Sequence, residues 1–511
     1  MRKGFTLVEI LAVIIILGLI GLIAIPSVTR MIEESKENLY NKQVEVIKEH
    51  ARKWSVENID RLSENQKNYV SVNSLISEGY IEQNELNNPK KTKETMDGCV
   101  VIDYNKSYEK FEYNYIDGSC REATTDYDLT INDPEYNCYY FNPTNQYIEG
   151  YELDNEDCPT DLYIPSKIDG MEVRGIGDYA FDADESDRYI TSVQFPKSIR
   201  YIGEAAFKYN QISDLDLSGL ENLEYIGEEA FYYNSIMNLN LQGLDSLSRI
   251  GMDAFASNYI TELIIKDLPK LERIEEDAFY DNYIREVVFE NLPRFKYIGE
   301  CAFCEGILST LSFDNVPELE IIGECAFCDN SLTSLNLIGL TNLRKIDRYA
   351  FAGNNLESVS FNGLESLVEI GISSFKENYI SSLILEDLPF LEYIGNYAFE
   401  NNYISTLTLK DLPSLQSIGG FTFVENEIRM LSFDNVPNLS EIGEDAFAFN
   451  QLSSVVIPAS VIEIGYYAFY PGCSTPWQSI TILGDPNRFN DNWESIGWPC
   501  ELNPNGEGCD S

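Results

Sequence analysis

The sequence predicts an α+β chain in three parts. A long N-terminal transmembrane helix leads into a small β head, and a solenoid of about 13 repeats with a 24-residue period follows. Three observations carry this. Residues 5–28 form an apolar run whose only charge is Glu9. The segments CVVIDY (99–104) and KFEYNYI (110–116) alternate in polarity around a polar turn, as a hairpin does. From Ile176 onward, thirteen hexapeptides of the form I-G-x-x-A-F recur, and every step between Ile202 and Ile442 is 24 residues.

At 511 residues the chain is too long for one ordinary core, so several domains or a repeat array are expected. It carries 84 acidic and 36 basic residues, a net charge of −48. Such a field repels phosphate backbones, so nucleic acid is not an expected partner. It suits solubility, cations or basic surfaces. The single histidine, His50, lies in NKQVEVIKEHARKW on the polar side of a helical pattern. Unless His50 itself serves, this count removes a Ser-His-Asp triad, and it leaves no His-rich metal site. No enzymatic activity and no cofactor are expected.

The N-terminal run approaches the ~20 residues needed to span a bilayer. Arg2 and Lys3 precede it and place that end in the cytoplasm. No small-residue cleavage site follows; Ile25-Pro26-Ser27-Val28 leads directly into an amphipathic helix reaching about Trp54. The stem is therefore expected to be retained, which a plain signal anchor would also satisfy. Glu9 needs its own explanation, because a carboxylate at membrane depth costs roughly 3 kcal/mol.

The segment Gly4-Phe5-Thr6-Leu7-Val8-Glu9 resembles the prepilin peptidase motif of type IV pilins and pseudopilins. The resemblance implies removal of a leader, residues 1–4, by cleavage between Gly4 and Phe5, and N-methylation of Phe5. Glu9 then holds the family's acidic position and Pro26 its helix-kinking proline. Once Phe5 is the terminus, its amine is a cation in a low-dielectric setting, and pairing it with Glu9 of a neighbouring subunit relieves both charges. Glu9 is on this reading an assembly device; substrate recognition by the peptidase is the alternative. The likeness extends through residues 5–122, a stem helix and small β head. In small heads of this kind a disulfide often brackets the hairpin, which implies Cys99 with Cys120 and an extracytoplasmic site.

Residues 394–417, IGNYAFENNYISTLTLKDLPSLQS, represent the repeat. The L-x-L core has period 2 and reads as a short strand, with Ile, Ala, Phe and the flanking Leu residues directed inward. A recurring asparagine, such as Asn210, Asn234, Asn258 and Asn402, is expected to bond backbone groups at the turn and form a ladder. The pattern resembles bacterial BspA-like leucine-rich repeats. Parallel strands ~4.8 Å apart over twelve steps would extend about 58 Å. Residues 166–484 are assigned to the solenoid, 123–165 to a linker and N-terminal cap, and 485–511 to a C-terminal cap or tail, since repeat arrays need capped ends.

Positions flanking the strand leucines face outward and form the candidate ligand surface. One column runs Asp214, Asn238, Glu262, Glu286, Thr310, Ser334, Ser358, Ser382, Thr406. The next runs Asp216, Asn240, Ile264, Val288, Ser312, Asn336, Ser360, Ile384, Thr408. One end is acidic and the rest is Ser/Thr-rich and uncharged, a face suited to a protein strand or a glycan. Solubility alone explains it nearly as well.

Two ECAFC segments place Cys301, Cys304, Cys325 and Cys328 at a C-x2-C-x20-C-x2-C spacing, at the edge of a zinc pattern. Equivalent residues of adjacent coils lie ~5 Å apart, within disulfide range, so Cys301–Cys325 and Cys304–Cys328 are favoured over zinc. Free thiols fit less well, because positions 4 and 7 of the unit are expected to face outward. Cys138 and Cys158 are a candidate staple for the N-terminal cap, and Cys473, Cys500 and Cys509 leave one odd thiol. The expected function is that of a non-enzymatic surface filament subunit, a minor or tip pilin, displaying the repeat domain for adhesion or ligand binding. Its expected partners are a prepilin peptidase, other pilin subunits through the N-terminal helix, the membrane, and an extracellular protein or glycan. The alternative is a membrane-tethered repeat receptor that does not polymerise.

Overall fold

The computed structural model describes residues 36, 39–58, 68–77, 79–82, 86, 88–89, 96, 98–105, 110–117, 128–184, 186–470 and 479–484. Gly4, Phe5, Glu9, Pro26, Cys120, the three C-terminal cysteines and the expected cap at 485–511 lie outside the described residues. Among the described residues no helix is long and apolar enough to cross a membrane. The chain divides into two units, residues 1–124 and 125–511.

In the first unit, residues 39–57 are helical and bury Tyr40, Ile47, Ala51 and Trp54, a single stripe at helical spacing. Strand β1 (Asn68–Ser71) leads into a short helix, Val72–Ser77, which Ser71 caps by accepting the Ser74 N–H at 2.8 Å. Strands β2 (Gly98–Asn105) and β3 (Lys110–Asp117) form the expected hairpin, with Cys99 opposite Ile116. Strand β1 pairs antiparallel with β2, Ser71 opposite Cys99. Cys99 is buried and disulfide-bonded.

In the second unit each coil contributes two strands rather than one. The L-x-L strand was expected. The second strand is the two-residue piece ending in the hexapeptide isoleucine, such as Tyr225–Ile226 or Arg273–Ile274. These short strands stack, parallel and in register, into one fifteen-stranded sheet, with Ile202 opposite Ile226 and Ile226 opposite Ile250. All but Tyr139–Asn142 run parallel, so the ladder has fourteen rungs. It begins at Tyr147–Ile148, inside the segment assigned to the cap. The antiparallel strand Tyr139–Asn142 ends the sheet, and a disulfide joins Cys138 to Cys158 there.

The interior of this unit is a series of ladders. The hexapeptide phenylalanines stack ring on ring, for example Phe207–Phe231 at 5.4 Å and Phe327–Phe351 at 5.5 Å. The asparagines form the expected second ladder. Asn234 donates through Nδ2 to the Phe207 carbonyl of the preceding coil at 2.8 Å, and its Oδ1 accepts the Ile212 N–H at 3.0 Å. Glycine follows the isoleucine because the coils meet there backbone to backbone. A Cβ on Gly299 would lie 2.3 Å from the Glu275 carbonyl carbon. Only Glu275 and Asp347 break this column, and each is flanked by glycine in the adjoining coils, Gly251 and Gly299, Gly323 and Gly371.

Candidate functional site

L-x-L strands of three and five residues come in blocks of two and three along the exposed face, and local turn chemistry selects between them. Where the third strand residue is Asx or Ser and a glycine follows three positions later, the strand stops after three residues. In Asn238–Asn240, Asn240 Oδ1 accepts the Gln242 N–H at 2.9 Å, and Gly243 takes a positive φ of 81°. In Ser334–Asn336, Asn336 accepts the Ile338 N–H at 3.0 Å in the same way. Where the residue is Ile, Val, Ser or Thr and Asp or Asn replaces the glycine, the strand runs to five residues, as in Glu262–Lys266 and Thr406–Lys410.

This sorts the candidate ligand residues. Asp216, Asn240 and Asn336 are engaged in their own turns, Asp216 accepting from both the N–H and the hydroxyl of Ser218. Asn238, Glu262, Glu286, Thr310, Ser334, Ser358 and Ser382 are exposed on the strand face, and Thr406 is half-buried. Asp214 begins the strand Asp214–Asp216, in register with Ser192. In-register pairs such as Glu286 with Thr310 and Ser382 with Thr406 make one column of this face. Exposed apolar side chains, Ile264, Ile384 and Met430, stand among the hydroxyls. The face is mixed in polarity: the column from Thr310 to Thr406 is uncharged, while the five-residue strands end in charged residues such as Glu386 and Lys410.

The four repeat-borne cysteines are free thiols, and the expected Cys301–Cys325 and Cys304–Cys328 disulfides are not formed. The reason lies in the parallel register. Equivalent side chains of stacked coils leave in the same direction, so their Cβ atoms stay about 4.8 Å apart, beyond the roughly 3.5–4.5 Å a disulfide spans. The expectation that positions 4 and 7 face outward is also corrected: Cys304 and Cys328 are buried, 3% and 5% exposed, and Cys301 and Cys325 are half-buried. The small cysteine side chains at position 4 pack against the cluster of Cys304 and Cys328, whereas Tyr179, Tyr349 and Tyr467 at the same position are exposed. Position 4 is left-handed in every coil, with φ 46° at Cys301 and 50° at Cys325. There its N–H reaches the next coil, Cys301 to the Glu324 carbonyl at 2.9 Å and Cys325 to Arg348 at 2.8 Å. No glycine marks this column, so the sequence carried no signal for it.

Sulfur hydrogen bonds from Cys304, Cys325 and Cys328 hold the Cys301 thiol well below its ordinary range, and the same contacts push the other three up. Asp277, at position 4 of the preceding coil, brings a carboxylate oxygen to the Cys301 and Cys304 sulfurs, the three ligand atoms lying within 4.8 Å of one another. Burial pushes that carboxyl up to about 7. A second gathering of metal-type donors, Glu386, Asp387 and Asp411, is already partnered, because Lys410 pairs with Glu386 and Asp411 and Asn435 donates to Asp411.

The model of the BspA type leucine rich repeat region matches in six copies, over residues 146–285, 272–390 and 344–476. The chain belongs to this leucine-rich repeat family. The N-terminal region is similar to competence protein ComGC of Halalkalibacterium halodurans, 32% identical over 101 residues, which is 20% of this chain and 91% of that protein. Among solved structures, a leucine-rich repeat protein from Bacteroides ovatus is 17% identical, covering 74% of this chain and 92% of that one, with a TM-score of 0.37. The pneumococcal vaccine antigen PcpA is also 17% identical, covering 76% of this chain and 81% of that one, with a TM-score of 0.35.

Proposed function

We propose that this leucine-rich repeat protein is a non-enzymatic subunit of a bacterial surface filament that carries its solenoid as a ligand-binding ectodomain. The observation that supports the reading most is a juxtaposition. An N-terminus that resembles a pilin's, GFTLVE with its apolar stem and its likeness to ComGC, precedes a repeat array whose column from Thr310 to Thr406 is uncharged and hydroxyl-rich. A prepilin peptidase would cut after Gly4, Phe5 would be methylated, and Glu9 would pair with the Phe5 amine of a neighbouring subunit. The stem would hold the subunit in the cytoplasmic membrane before assembly, with the ectodomain outside. An ectodomain of nearly 390 residues fits a minor or tip position better than dense packing along a filament. The net charge of −48 disfavours direct contact with DNA. An extracellular protein or glycan is the expected ligand, received on the column from Thr310 to Thr406.

The test is the intact mass and N-terminal sequence of the protein from membrane and sheared-filament fractions of its own cells. An N-methylated Phe5 terminus in the sheared fraction is expected, and Glu9→Ala should abolish its appearance there. A Met1 terminus confined to membranes would overturn the filament reading and leave a tethered repeat receptor.

A further inference from the structure

We propose that Cys301, Cys304, Cys325 and Cys328 form a four-thiolate zinc site that clamps two neighbouring coils of the solenoid. The geometry comes from the repeat itself. Positions 4 and 7 flank one tight turn, whose left-handed residue is Cys301 in one coil and Cys325 in the next. The 24-residue register lays the second C-x-x-C over the first, so that four sulfurs converge from two coils. Cys304 and Cys328 form one buried cluster, and Cys301 and Cys325 pack against it. Zinc would draw the four sulfurs into a tetrahedron with Zn–S bonds of about 2.3 Å and edges of about 3.8 Å.

Chemistry and setting agree with that geometry. Four soft thiolates select zinc over hard cations, and binding would release the thiol protons. Cys138 and Cys158 are joined in the same unit, so the four thiols do not reflect a chain that is reduced throughout. Parallel stacking keeps equivalent Cβ atoms too far apart for relaxed disulfides, while an ion at the centre needs no such approach. The apolar cover comes from the same position of the adjoining coils: Ala352 on one side and Tyr280 on the other pack against the cysteines.

The location has a structural purpose. The coil bearing Cys301 and Cys304 is the one described coil between Ile202 and Ile442 whose ladder asparagine is missing, Gly306 standing in its place. Beside that glycine is a cavity of about 10 Å³, lined by Asn282, Ile284, Cys304 and Asn330 among others. A clamp to the next coil offsets the rung that this coil lacks.

The test uses the full chain, purified without chelator. Elemental analysis should find one zinc per molecule. The peptides containing the four cysteines should resist alkylation in the native protein and be fully alkylated after denaturation with chelator. Exchange with cobalt(II) should give the intense visible bands of a tetrahedral tetrathiolate. Cys328→Ser should lose the metal, whereas Asp277→Asn should keep it at one per chain. Loss of metal from Asp277→Asn would overturn the four-sulfur assignment in favour of a carboxylate-containing site. Disulfides within these peptides, freely alkylated thiols without bound metal, or iron in place of zinc would overturn the proposal. The wild-type stoichiometry decides this even where a cysteine variant does not fold.

Discussion

Replacing Asn354 by alanine should open the solenoid locally and leave the rest of the molecule intact. Asn354 is 3% exposed. Its Nδ2 donates to the carbonyls of Phe327 at 2.9 Å, Phe351 at 3.2 Å and Ala352 at 3.3 Å, and its Oδ1 accepts the Leu332 N–H at 3.0 Å. The three carbonyls each keep another donor after the substitution. Phe327 retains Asn330, Phe351 retains Asn378, and Ala352 retains the Asp329 N–H. The Leu332 N–H alone is orphaned. A buried donor without a partner costs about 1–3 kcal/mol, and about 2 kcal/mol corresponds to a roughly thirtyfold rise in local opening. Native-state hydrogen exchange of the full chain reads this directly at the Leu332 amide. The Ile428 amide, which bonds Asn450 four coils away, should be unaffected, because each coil of a solenoid contacts only its neighbours. Unchanged exchange at Leu332 would refute the account of the ladder. A parallel rise at both amides would show instead that the array opens as one unit.

The converse substitution, Gly306→Asn, should restore the missing rung with the Ile284 N–H as its donor, slow exchange there, and stabilise by about 1 kcal/mol in denaturant titration. Gly299→Ala places a Cβ 2.3 Å from the Glu275 backbone, next to a coil already without glycine, and should cost about 1–3 kcal/mol; an unchanged melting temperature would contradict the backbone-contact reading of that column. Asp253, half-buried at position 4, has its carboxyl pushed from 3.8 to about 6, first by desolvation and then by Glu229. The folded state therefore holds this proton more tightly than the unfolded chain, and stability falls as pH rises from about 4 to 6. Asp253→Asn should remove that decline, raising the melting temperature at pH 7 and not at pH 3.5; a gain of equal size at both would refute the charge account.

The repeat, its period and its inward residues were determined by the sequence, because a solenoid core is built from contacts that recur at one spacing. Isoleucine, alanine, phenylalanine and asparagine announce themselves by their 24-residue recurrence, and the hairpin Gly98–Asn105 and Lys110–Asp117 announces itself by alternation. What recurrence does not reveal is backbone conformation. Position 4 is left-handed with Glu, Asp, Cys, Tyr or Phe in place, a conformation imposed by hydrogen bonds to the next coil rather than by any residue preference. Nor does recurrence reveal which position-4 side chains pack, since Cys301 and Cys325 join a buried cluster while Tyr179, Tyr349 and Tyr467 are exposed. Strand length on the exposed face was legible in principle, from the pairing of Asx with a later glycine, yet only the structure showed that Asn240 and Asn336 are occupied by their own turns. Parallel register, a property of neighbouring coils and not of any one repeat, decided that four sulfurs converge without joining in pairs.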